Sequence, residues 1–91
     1  MGLILDVDKS SINWQPTGWA FACDFINNDL QNVIIAAPQC GPRCVSTSGC
    51  THFTWTSYQG GTCWMKSGSV SRSDAISIDD QTTVCGIVPG K

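Results

Sequence analysis

Between positions 50 and 66 the chain reads CTHFTWTSYQGGTCWMK, in which two cysteines bracket alternating threonines and aromatics around the single histidine of the sequence. Three chemistries could use such a stretch: a metal centre, a hydrolytic dyad, or a face on which a ligand stacks. For zinc, Cys40, Cys44, Cys50, His52 and Cys63 offer ligands. Structural zinc takes two close ligand pairs, each about two to four residues apart. Cys40 and Cys44 suit that rule, but Cys50 and His52 alternate along a strand, and Cys23 and Cys85 would be left over. Disulfides are the better use of these thiols, so no metal and no cofactor is expected.

Catalysis finds less support. The chain has no Gly-x-Ser-x-Gly elbow, no His-Glu-x-x-His pair and no glycine-rich phosphate loop. A glycosidase sets two carboxyl groups across a cleft, whereas the seven acidic residues, all aspartate, fall in loops or near the termini. His52 has serines nearby but no third group to orient it, so the chain reads as a non-enzyme. Asp24, Asn27, Asn28 and Asp29 crowd oxygen donors as calcium would require. They lack the loop length and closing carboxylate of a calcium loop, and turn chemistry explains them, because Asn and Asp side chains bond their own backbone.

The aromatics are more informative. Trp14, Trp19, Trp55 and Trp64 are many for so short a chain, and indole and phenol rings stack on sugars and anchor protein partners. At least two of the four are expected in the core. Side chains alternate between faces along a strand. If Phe53 and Trp55 face inward, then His52, Thr54, Thr56, Tyr58, Trp64 and Lys66 share the opposite face. Two rings, hydroxyls, an imidazole and an ammonium would suit a polar, ring-stacking ligand. Cys50 has the parity of His52, so a bend is required near Thr51.

The elements that must position these groups are mostly strands. LILDVD at 3–8 alternates, with Leu3, Leu5 and Val7 on one face. QPTG at 15–18 is a turn signal. WAFACDF at 19–25 reads as one core strand, with Trp19, Phe21, Cys23 and Phe25 on a single face. NNDL is loop chemistry and NVII at 32–35 a short strand. APQCGPRCVSTSGC at 37–50 is the one plausible helix, with Cys40 and Cys44 stacked, a proline in the first turn and Gly49 as its left-handed cap. Alternating runs on either side of Gly60-Gly61 form a hairpin, residues 69–79 a loop with a possible short strand, and TTVCGIV at 82–88 a closing strand.

Composition sets the class. Ninety-one residues make one domain of marginal core. Six cysteines in that length read as a disulfide scaffold from an oxidising compartment, hence secreted or extracellular. The formal charge of −2, with five scattered basic residues, gives nucleic acid and anionic membranes no footprint and disfavours heparin-like glycans. No segment nears the ~20 apolar residues of a membrane span. MGLILDVDKSS has no basic leader region, and Asp6 breaks both its apolar run and the myristoylation pattern. A mature module or a piece of a larger secreted protein is expected.

The spacing C-x3-C-x5-C-x2-F-x-W, then a hairpin turn and C-x-M-K, stands here as CGPRCVSTSGCTHFTW…GGTCWMK, flanked by Cys23 and Cys85. It resembles the PAN/Apple module family over residues 19–88, leaving 1–18 as an N-terminal extension or first strand and 89–91 as a tail. The resemblance implies an α+β fold, a curved antiparallel β-sheet cradling one short α-helix, with disulfides Cys23–Cys85, Cys40–Cys63 and Cys44–Cys50. It also implies binding rather than catalysis. A lectin-like module for cell-wall or cell-surface glycans is expected first, a protein–protein adhesion module second, and an inhibitor or toxin using loop 67–80 last.

Overall fold

The computed structural model describes residues 12–90; the strand expected at 3–8 lies outside them. The strands are β1 (Trp19–Phe21), β2 (Cys23–Asp24), β3 (Asp29–Ile34), β4 (His52–Thr56), β5 (Thr62–Lys66), β6 (Ile76–Ser77) and β7 (Val84–Ile87), and one helix, α1, spans Ala37–Ser46. Five strands form an antiparallel sheet in the order β1-β7-β4-β5-β3, while β2 pairs with β6 in a separate two-stranded ribbon. Helix α1 packs on β4 and β5, at the middle of the sheet. This is the expected α+β architecture.

Three disulfides hold it: Cys23–Cys85, Cys40–Cys63 and Cys44–Cys50, the pairing that the resemblance implies. Cys40 and Cys44 lie one helical turn apart on the buried side of α1, so one staples the helix to β5 and the other closes the loop into β4. Pro38 occupies the first turn of α1, where a missing N–H loses nothing. Pro42 lies inside the helix and removes one hydrogen bond. Gly49 is left-handed at φ +86° but does not cap α1. The helix ends at Ser46, Thr47 is extended, and Gly49 serves the following turn into Cys50.

Residues 19–25 are not one strand. Ala22 adopts φ +57°, breaking the run into β1 and β2. Its N–H bonds Thr83 O at 2.7 Å and its carbonyl accepts from Ile78 N at 3.0 Å, so contacts to two other segments hold the left-handed residue. The break reverses parity. Trp19 packs on the helix-side core, whereas Cys23 and Phe25 join Ala20 and Cys85 in a second core, flanked by Ile12 and Trp14. Phe21, expected inside, is 53 % exposed.

The helix-side core contains Phe53, Met65, Val84, Val88 and four cysteines, Cys50 among them. Cys50 therefore shares a side with Phe53, as the bend before β4 requires. None of the tryptophans is fully buried, contrary to expectation. In a domain this small the disulfide sulfurs fill the centre, and the larger indoles are left to seal the margins. Trp55 shows how: its ring lies over Gly61, and its indole N–H donates to Ile35 O at 2.8 Å.

Candidate functional site

The β4–β5 hairpin has the register on which the face assignment depends. Phe53 pairs with Met65 and Trp55 with Cys63 toward the helix, while His52 pairs with Lys66 and Thr54 with Trp64 on the far side. On that far side, Thr54, Thr56, Tyr58, Trp64 and Lys66 line one hollow of about 270 Å³, joined by Asp24 and Asp29.

Each group is held by identifiable bonds. A 3₁₀ turn over Tyr58–Gly60, passing through left-handed Gln59 and closed by Thr62 Oγ1 donating to Tyr58 O at 2.7 Å, turns the Tyr58 ring toward Trp64. The two rings sit 5.9 Å apart, inclined by 40°, and Tyr58 is largely exposed. Trp64 Nε1 donates to Thr56 Oγ1 at 2.9 Å, and Tyr58 N donates to the same oxygen at 3.4 Å. The Thr56 hydroxyl proton is then free to donate to a ligand. Thr54 is buried at the floor, and its Oγ1 accepts from Phe25 N at 3.3 Å.

Lys66 is the unexpected member. Its side chain is only 6 % exposed, and its ammonium donates to Asp29 Oδ1 at 2.5 Å and to Asn27 O at 3.2 Å. Asn27 and Asn28 are both left-handed, which folds the β2–β3 turn back so that the Asn27 carbonyl faces that ammonium. Two of the oxygens weighed for calcium are thus committed to a lysine. Among the described residues no group of three or more His, Cys, Asp or Glu side chains could hold a metal ion. The Asp24 side chain forms no hydrogen bond or ion pair within the described residues, so its carboxylate is the uncommitted charge of the hollow.

His52 does not join the hollow. It is buried beneath Phe25, with ring centroids 5.0 Å apart in an edge-on arrangement, and Nδ1 lies 2.8 Å from Thr51 Oγ1. Burial lowers its pKa, the Lys66 charge lowers it further, and Asp74 opposes both. The imidazole is a neutral packing group beside the site. Phe25 covers it because left-handed Ala22 turns Phe25 to this face, and a strict alternation from Trp19 does not foresee that.

A second concavity opens on the helix side, an apolar groove of about 810 Å³. Pro38, Gly41, Pro42 and Val45 follow helical spacing and form one wall, Trp19 and Phe21 of β1 the other, with Phe53 and Val84 between them. It opens where α1, which packs mainly on β4 and β5, stops short of β1. Val45 and Phe21 are each more than half exposed along its rim. The sequence held the signal, since positions 38, 41, 42 and 45 are all apolar or glycine beside the buried cysteine stripe. Trp14, by contrast, packs against Phe25 with the Arg72 guanidinium 5.2 Å above its ring, away from either concavity.

No family model matches the chain, and no curated protein or solved structure matches it either. No helix among the described residues is long and apolar enough to cross a membrane.

Proposed function

We propose that the protein is a non-catalytic, extracellular binding module, and that the hollow beside the β4–β5 hairpin takes carbohydrate. One observation carries this reading: Tyr58 and Trp64 stand side by side with the Thr56 hydroxyl and the Asp24 and Asp29 carboxylates around them. Rings offer faces to the C–H side of a pyranose, while hydroxyl and carboxylate groups take up its hydroxyls. The three disulfides support an oxidising, extracellular setting, and the resemblance to PAN/Apple modules supports binding over catalysis.

Recognition of a protein partner is the second reading, and the apolar groove favours it, because exposed aromatic and aliphatic side chains around a concavity are where partner anchors dock. A glycan array probed with the oxidised protein, alongside Trp64→Ala, separates the two. Selective binding lost in Trp64→Ala with the fold intact is expected. Selective binding that survives the substitution would move the sugar elsewhere on the molecule. Silence across neutral and charged glycans and insoluble wall polysaccharides would favour the groove and a protein ligand.

A further inference from the structure

We infer that the hollow prefers sugars bearing a free amino group to their neutral, N-acetylated and anionic counterparts. This rests on the carbohydrate reading and adds its chemical class. The hollow holds two carboxylates, Asp24 and Asp29, and one ammonium, Lys66. Lys66 is spent. It is almost wholly buried and bonded to Asp29 and Asn27 O, so it has no freedom to turn toward an anion. The Asp24 carboxylate has no partner among the described residues and leaves the hollow with an excess negative charge.

Beside that charge stand the Tyr58 and Trp64 rings, 5.9 Å apart. Aromatic faces attract a cation through their quadrupole, so rings and carboxylate act in the same direction on an ammonium. The Thr56 hydroxyl supplies a donor for a neighbouring sugar oxygen, since its oxygen already accepts from Trp64 and Tyr58. At about 270 Å³ the hollow has room for roughly nine waters at about 30 Å³ each, which is the scale of a single sugar ring. A uronate or sulfate would meet unscreened carboxylate. An N-acetyl group would cover the charge that Asp24 is placed to read.

Titration calorimetry of the oxidised protein tests this, using short β-linked oligomers of glucosamine, N-acetylglucosamine and glucose, and one containing glucuronate, at a pH where the amine is protonated. The glucosamine oligomer should bind about tenfold more tightly than the glucose oligomer at low ionic strength, the size expected of one exposed ion pair reinforced by a ring. That preference should shrink as salt is added. Asp24→Asn, a near-isosteric change that keeps an oxygen acceptor for sugar hydroxyls, should bring the glucosamine oligomer's affinity down to that of the glucose oligomer and so erase the ratio between them; Asp24→Ser repeats the test should the amide perturb β2. Equal affinity for amine and neutral oligomers, or a preference untouched by Asp24→Asn, overturns the inference and leaves the carbohydrate reading standing. If none of the four oligomers binds, the inference falls, and the glycan array decides the carbohydrate reading.

Discussion

Gly86 is where the packing of this domain can be tested most sharply. A methyl group added there would lie 2.5 Å from Phe53 Cζ, 2.7 Å from Cε2 and 3.1 Å from Trp19 Cβ. Carbon atoms rest against each other at about 3.5–4.0 Å, so the Phe53 ring would have to retreat by roughly an ångström. Behind it stands α1, where a methyl on Gly41 would already be in ordinary contact with the same ring, at 3.5 Å. The ring therefore lies between two glycines. The open direction is sideways into the apolar groove, away from its buried position.

Overpacking of this kind costs about 1–3 kcal/mol, and replacing glycine within a strand returns about 0.5–1 kcal/mol. Gly86→Ala should thus destabilise the oxidised protein by about 1 kcal/mol, the difference between the middles of the two ranges. Denaturant unfolding followed by tryptophan fluorescence measures it, with the slope checked for constancy. Phe53→Leu in the Gly86→Ala background should recover part of the loss, giving a coupling of about 0.5 kcal/mol or more. Gly86→Ala at or above the stability of the parent, or two costs that simply add, would refute the proposed ring contact.

Two further outcomes follow from the buried polar and covalent contacts. Because burial first and Lys66 second hold His52 below its ordinary pKa of 6.5, the neutral ring is the folded form; stability should be full above about pH 6.5, decline as pH falls from there toward the lowered folded value, and decline less in His52→Gln, as read from urea midpoints across that range. Removing disulfides pairwise to alanine should cost more as the closed loop lengthens, about 2 kcal/mol for Cys44–Cys50, about 3 for Cys40–Cys63 and about 4 for Cys23–Cys85, and an inverted order in thermal melts would show that packing around the sulfurs outweighs loop closure.

Much of the hollow was legible in the sequence because a hairpin obeys two local rules. Alternation assigns faces, and a Gly-Gly turn sets which residues oppose each other, so Thr54, Thr56, Trp64 and Lys66 could be placed on one side from spacing alone. His52 obeys the same parity but is covered, because Phe25 comes from a segment whose direction depends on Ala22. Alanine carries no signal for left-handed backbone, and the contacts to Thr83 and Ile78 that impose it are distant in sequence. Asp29 was visible as an oxygen donor, yet its partner was not. Nothing local brings Lys66 across from β5 to meet the β2–β3 turn.

The sequence by itself determined the class: six cysteines, few charges and alternating runs dictate a small stapled α+β domain with one short helix and a central hairpin. These properties depend on composition and on separations of a few residues. Only the tertiary structure decided what is open to a ligand. Whether a face is solvated depends on what chain returns to cover it, and here Phe25 closes over His52 while nothing among the described residues closes over Tyr58 and Trp64. The same holds for the groove, which opens beside a short helix that the Cys40–Cys63 and Cys44–Cys50 disulfides fix over β4 and β5.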